Sequence, residues 1–420
     1  MGIPSDDVVL IQNGKSPNDP TVITVSCPDQ AGLGCDICRI ILEFGLFITR
    51  GDFSTDGRWC YVVLRVLPHP ISVKVDWASL KNRLVAVCPS LLFSYCFDRQ
   101  SGDSSTSSVF LLNVFCLDRK GLLHDVTEVL CKLELVIQRV KVMTMPDGRV
   151  LDLFFITDGL NLLHTKQRRD DTCEQLVEAL GEFCIGCDIQ LAGPEFENQH
   201  TSSTLPSEVA EQLFSSNQLN NSSFSITTDP YTAKLKKASI TIDNHLSPSH
   251  TMLRIECSDQ KGLFYDMSRI SKDCGITIAH ARVSASVKGC RNMDLLIQKT
   301  DGQKIIDPDY QSALCSRLKE EMFLPLRMII TNRGPDTELV VANPVELSGK
   351  GRPRVFYDVT FALKVLGICI FSAEIGRHTM SDRQWEVYRF LLDDSRDLPL
   401  SSIETRTRIL KQVRRTLMGW

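Results

Sequence analysis

Three phrases in the chain carry the same chemistry-bearing residues: CPDQAGLGCD at 27–36, CLDRKGLLHD at 116–125 and CSDQKGLFYD at 257–266. Each sets an Asp three residues before a Gly-Leu pair and a second Asp four residues after that Gly. The Gly falls where a β-rich run gives way to a helical pattern. The first N–H groups of such a helix have no backbone partner and its dipole is positive, so a carboxylate or phosphate is held there readily. Gly permits positive φ and close approach of a ligand to the backbone. The preceding Asp can cap the helix or receive an ammonium. Together these groups suit a zwitterion such as a free amino acid. The competing reading is that Asp-x-x-Gly is only a sound turn and cap, which any strand-to-helix corner can use.

The phrases belong to a repeat. Asp36, Asp125 and Asp266 keep the same intervals as Gly32, Gly121 and Gly262, and a fixed spacing of this kind decides the fold. A fourth copy is eroded: GRPRVFYDVTFAL (351–363) lies over DRKGLLHDVTEVL (118–130) without a gap, but Gly351 replaces Asp118 and Arg354 replaces Gly121. Each copy opens with a strand-like run: TVITVSC (21–27), VFLLNVFC (109–116), TMLRIEC (251–257) and TELVVAN (337–343). A helix with apolar residues at three-to-four spacing follows and ends at or near Gly45, Leu133, Gly275 or Gly367. Two strands joined by a turn come next, with Asp56-Gly57 and Asp147-Gly148 as hairpin chemistry. A second helix then precedes a closing strand, such as LPLRMII at 324–330, in copies one to three.

The order β-α-β-β-α-β predicts an α+β fold of tandem ferredoxin-like units, antiparallel sheets with helices on one face. The expected units are 20–100, 109–193, 250–331 and 337–420, the last lacking its closing strand, with a polar linker at 195–235 too poor in apolar residues to fold alone. The missing strand would leave 337–343 with a bare edge, which sheets avoid. ASITIDN (238–244) is the expected cover.

The Asp-(Arg/Gln)-x-Gly-Leu motif in a repeated βαββαβ unit resembles the ACT domain, a regulatory module that in many relatives binds amino acids between paired domains. Four such units with no catalytic domain resemble the plant ACT-domain-repeat proteins, over roughly residues 20–195 and 240–420. The stretches 238–266 and 334–360 look specific to one branch of that family. The resemblance implies a non-catalytic amino-acid-binding sensor. It makes Asp29, Gly32 and Leu33, Asp118, Gly121 and Leu122, and Asp259, Gly262 and Leu263 the candidate ligand contacts. Arg354 denies the fourth copy that role. The alternative is an interaction scaffold whose repeats are structural. Expected partners are a free amino acid and, through ACT pairing, a protein partner or a second copy; no cofactor or metal is implied.

Composition narrows the rest. Of 420 residues 43% are apolar and 23% charged, ordinary for a globular chain, and the net charge of −4 gives no global attraction to nucleic acid or anionic membrane. No apolar run reaches membrane-spanning length and the acidic N-terminus fits neither a signal nor a transit peptide. With 16 cysteines scattered through apolar runs, the reading is a reduced, intracellular protein, cytoplasmic or nuclear. Cys35-x-x-Cys38 and Cys184-x-x-Cys187 have redox or zinc spacing, but they fall on apolar positions that other copies fill without a Cys pair. His124-Asp125 resembles the His-Asp pair of metal phosphohydrolases, yet Cys35, Tyr265 and Tyr357 occupy the His slot elsewhere, which favours packing. The phosphate-loop, zincin and nucleophile-elbow motifs are missing, so no enzyme is expected. Arg58, Arg149, Arg291 and Arg383 begin the third strand of each copy, and Tyr61, Asp152, Asp294 and Glu386 follow three residues on, with solvent or interface roles expected for the acids.

Overall fold

A computed structural model describes residues 8–14, 16, 19–69, 75–89, 108–159, 161–193, 205–214, 238–285, 289–347, 349–380, 383–393 and 399–419. The chain divides into two compact units, Met1–Ser101 with Asn217–Pro325 and Gly102–Ser216 with Leu326–Trp420. The copies are therefore interleaved: one is built with three, and two with four.

Unit 1 contains β1 (Val9–Gln12), β2 (Thr21–Pro28), α1 (Leu33–Glu43), β3 (Leu46–Thr55), β4 (Trp59–Pro68) and α2 (Trp77–Val87) from copy one. Copy three contributes β9 (Ser239–Asp243), β10 (Thr251–Ser258), α6 (Leu263–Asp273), β11 (Ile276–Ala285), β12 (Cys290–Lys299) and α7 (Pro308–Phe323). The eight strands run β1-β2-β4-β3-β11-β12-β10-β9. Unit 2 contains β5 (Phe110–Leu117), α3 (Leu122–Lys132), β6 (Leu135–Thr144), β7 (Arg149–Asp158), α4 (Lys166–Leu180) and β8 (Cys184–Leu191) from copy two, with α5 (Ser207–Phe214) after it. Copy four adds β13 (Arg327–Arg333), β14 (Asp336–Pro344), α8 (Val355–Val365), β15 (Ile370–Met380), β16 (Arg383–Leu392) and α9 (Ile403–Met418), in the order β13-β14-β16-β15-β6-β7-β5-β8.

The patterning explains the layers. In β2, Ile23, Val25 and Cys27 are buried while Val22, Thr24 and Ser26 are half-buried, the period of two of a sheet with one wet face. In α1, Leu33, Ile37, Ile40 and Ile41 form the stripe that covers the other face. Each helix of this kind ends where the chain turns left-handed, at Gly45, Gly275 and Gly367, and at Glu134 in copy two. Pairing then joins two half-sheets. Gly51, Asp52, Phe53 and Ser54 of β3 face Val283, Arg282, Ala281 and His280 of β11, and Ser372 to Glu374 of β15 face Met143 to Lys141 of β6. Over the seams α1 packs on α6 and α3 on α8. Arg39 donates to the Tyr265 hydroxyl at 2.9 Å across the first. Thr127 and Thr360 hydroxyls meet at 3.2 Å across the second.

Two expectations fail. The run at 238–244 does not cover 337–343: β9 pairs with β10, placing Ile240 opposite Ile255. The strand expected to close copy three is β13, which pairs with β14 of copy four, Ile329 opposite Val340. Loop closure is the reason. Only Gly334, at φ 64°, and Pro335 separate β13 from β14, so the local hairpin is far cheaper to close than a return to β10. Copies one, three and four thus take an edge strand from the chain before them, and copy two uses its own β8. The closing strand expected for copy one before residue 100 lies outside the described residues.

Nor is the stretch 195–235 linker throughout. α5 buries Ala210 and Leu213 against Val340, Ala342, Trp385 and Val387. Leu339, Val341, Tyr388 and Phe390 point into the main core instead, so α5 sits on the opposite face of the same sheet. Four apolar outward residues make that seat, a signal hidden in strands whose inner face is apolar too. Leu213→Ala is expected to cost unit 2 about 2–3 kcal/mol, the lower range for a buried Leu, because undocking caps the penalty. Urea titration checks this, and a red shift of Trp385 emission marks release of α5; unchanged stability and emission would show that the helix adds nothing.

Candidate functional site

Loop one opens into a cavity of about 550 Å³ in unit 1, within the usual range for small-ligand pockets. Asp29, Gly32 and Leu33 line it together with Gly34. Gly32, at φ 86°, is the N-cap of α1 and no side chain caps that helix. Thr55 donates to Asp29 Oδ2 at 2.5 Å and is itself held by the Gly57 N–H at 2.9 Å, which fixes the carboxylate at the rim. The opposite wall is copy three: Phe264, Met267 and Lys272 of α6, with Ile276 and Ile278 of β11. Lys272 runs over Gly32 so closely that a Cβ there would lie 3.0 Å from its Nζ. Its ammonium makes no ion pair among the described residues. An Asp, an open helix N-terminus and an uncompensated ammonium therefore surround one largely apolar chamber.

Loop two is closed. Asp118, Gly121 and Leu122 line a void of about 20 Å³, room for one water. Lys364 of α8, ten residues past Arg354 as Lys272 is ten past Gly262, fills the place. A Cβ on Gly121 would meet its Cγ at 2.8 Å, and its Nζ pairs with Asp125 at 2.6 Å, which also holds Arg119 at 2.5 Å. Burial raises the Asp118 carboxyl above the ordinary range. Beneath it, Asp152 is buried, contrary to the expected solvent role, and its Oδ1 has no hydrogen-bond partner among the described residues.

Loop three is committed to structure. Asp259 pairs with the buried Arg291 at 2.6 Å, Gln260 donates to the Met322 carbonyl, and Leu263 is in the core. None of Asp259, Gly262 and Leu263 lines the cavity. In copy four Arg354 keeps the left-handed turn of the Gly it replaces, φ 64°, at a cost of about 1–2 kcal/mol, with its guanidinium over the Tyr357 ring.

Comparison with known proteins places these loops. Residues 239–336 match the ACR9-like, ACT-like domain, 337–419 the C-terminal part of ACT domain-containing protein ACR9, and 11–89 the N-terminal part of ACR10. Residues 104–179 match the ACT-like domain of plant bHLH transcription factors. The chain is 61% identical to Arabidopsis thaliana ACT domain-containing protein ACR9 and 48% to ACR10, spanning 100% of this chain and of each relative. It belongs to the plant ACT-domain-repeat (ACR) family. Arabidopsis ACR4 is 26% identical over 43% of this chain and 38% of its own length. A Synechocystis aspartate kinase structure aligns at 12% identity, over 95% of this chain and 54% of that one, with a TM-score of 0.17, too low to argue from.

Within this ACR chain the remaining candidates are core. His124 is buried between the Tyr357 and Phe361 rings, and burial, then Lys364, pushes its imidazole down to about 4. Cys35 and Cys38 are buried on α1, and burial lifts the Cys38 thiol to about 12. Cys184 and Cys187 pack against the unit 2 core. Among the described residues no cluster of three or more His, Cys, Asp or Glu could hold a metal, and no helix is long and apolar enough to cross a membrane. Lys272 is the site residue that sequence reasoning missed. Its signal exists, a Lys ten residues past the Gly position in copies three and four but not in copies one and two, and it acquires meaning only when the pairing is known.

Proposed function

We propose that this ACR protein is a non-catalytic regulatory protein that binds a free amino acid in unit 1, between ACT copies one and three, while unit 2 is structural. The observation that carries the reading is the contrast between equivalent loops. In unit 1 the lysine over the Gly is uncompensated beside a 550 Å³ chamber; in unit 2 it is neutralised by Asp125 over a 20 Å³ void. A bound amino acid would set its carboxylate at Lys272 and the α1 N-terminus, its ammonium at Asp29, and its side chain among Phe53, Phe264 and Met267. The ligand would shift the pairing of the two copies by its differential affinity for the paired states.

The test is thermal unfolding of the full chain against the free amino acids at millimolar concentration. A native-state ligand at a hundredfold excess over Kd stabilises by about 2.7 kcal/mol. Lys272→Met and Asp29→Asn are expected to abolish the shift and leave the ligand-free melting temperature within a degree or two, and Lys364→Met to keep it. If no amino acid shifts unfolding, or if Lys272→Met responds as the wild type does, the scaffold reading replaces this one.

A further inference from the structure

The seat of α5 has a counterpart in unit 1 that holds no helix among the described residues. Copies one and four occupy the same place in their sheets, β1-β2-β4-β3 and β13-β14-β16-β15. The register fixes the equivalence. Val25 faces Val62 in the core of one, and Val341 faces Tyr388 in the core of the other. Counting along the strands, Thr24, Ser26, Trp59 and Tyr61 stand where Val340, Ala342, Trp385 and Val387 stand. In copy four these outward residues are covered by α5, and Trp385 is 9% exposed. In copy one Trp59 is 41% exposed and Tyr61 46%, with Leu10 beside Thr24 exposed as well. Trp59 is tethered by its Nε1 donating to Ser26 Oγ at 2.9 Å. Trp and Tyr are the residues that anchor protein interfaces, and a fixed ring loses little entropy on contact.

The border of the patch states the partner's charge. Arg50 of β3 and Arg65 of β4 face each other across the strands on the same outward side, both exposed, and neither guanidinium has an ion-pair partner among the described residues. The helix that covers the equivalent face carries apolar Ala210, Leu213 and Phe214 inward, with Glu208 and Glu211 exposed. We propose that the outward face of copy one, centred on Trp59 and Tyr61 and flanked by Arg50 and Arg65, docks an amphipathic helix with an acidic flank from a partner protein. The strand that bears it also reaches the cavity: Val62 and Leu64 of β4 line the chamber, and Tyr61 and Val63 alternate with them on the docking side. The proposal does not depend on amino-acid binding.

The probe is a helix-stapled peptide of the α5 sequence, LPSEVAEQLF, titrated into the full chain by calorimetry. Docking on copy one predicts that Trp59→Ser with Tyr61→Ser weakens binding at least tenfold, in a variant whose circular dichroism and melting match the wild type. Arg50→Glu with Arg65→Glu is expected to weaken it as well and to remove its salt dependence. Absence of binding, or binding indifferent to Trp59 and Tyr61, overturns the proposal. Binding that rises in Leu213→Ala and ignores both aromatics places the peptide in the seat of α5 and also overturns it. A wild-type dimer in sedimentation that disappears in the Trp59/Tyr61 variant gives the face to a second copy instead.

Discussion

Arg269→Met is expected to destabilise unit 1 by about 3–5 kcal/mol, enough to unfold it under mild conditions. The guanidinium, carried by α6, is fully buried, with Nη1 3.2 Å from Glu321 and 3.4 Å from Asp273. Asp266, also fully buried, adds to the field that raises the Arg269 pKa against its desolvation. Met fills the volume but removes the buried cation that Asp266, Asp273 and Glu321 share; Glu321 keeps Arg317 at 2.9 Å, so the loss at the more deeply buried Asp266 and Asp273 sets the cost. Arg254→Met is the control: Arg254 pairs with Asp294 at 2.9 Å with both partners exposed, and such pairs contribute about 0–1 kcal/mol. Urea titration of the full chain separates the two. Equal losses for both variants would mean that the buried network is no more than a surface pair.

The fold was legible because its signals are local. Alternation in TVITVSC, the stripe Leu33-Ile37-Ile40-Ile41 and the Gly that ends the first helix of copies one, three and four are all set within a few residues, and the first strand and first helix of each copy stand where they placed them. Even Arg354 could be aligned on the Gly position, because the turn it must adopt is the same left-handed one. What the sequence hid is pairing. Whether β13 closes copy three or opens copy four depends on the two-residue hairpin at Gly334 and Pro335, and the alternation of 324–330 fits both. The candidate site was half legible for the same reason. Asp29 and Gly32 belong to a motif, but the same motif at Asp259 is spent on Arg291, and at Gly121 it is covered by Lys364. The repeat marks three loops as equal; only the residue that the paired copy brings to each one tells them apart.

That difference gives unit 2 a pH dependence that Asp152→Asn is expected to remove. Asp152 and Asp294 are aligned in sequence but not in register: Asp152 faces Val114 on the core side, where copy three has Met293 facing Ile255, while Asp294 is exposed and paired with Arg254. Asp152 is 1% exposed, and its Oδ1 has no hydrogen-bond partner among the described residues. Burial, and then the nearby Asp118, push its carboxyl up to about 8. Unfolded, it titrates near its reference value of about 4. Between those values the folded chain holds a proton that the unfolded chain has lost, so the contribution is complete below about pH 4 and declines as pH rises through about 8. The decline is about 1.4 kcal/mol per pH unit. Asn keeps the shape and never ionises, so the variant is expected to overtake the wild type as pH rises, by a few kcal/mol at pH 8–9. Asp294→Asn, which leaves the buried carboxylate in place, is the control. Urea titrations between pH 5 and 9 read the difference directly. Parallel curves for Asp152→Asn and wild type would mean that water or a cation reaches the carboxylate, and that the void under loop two is not closed by Lys364.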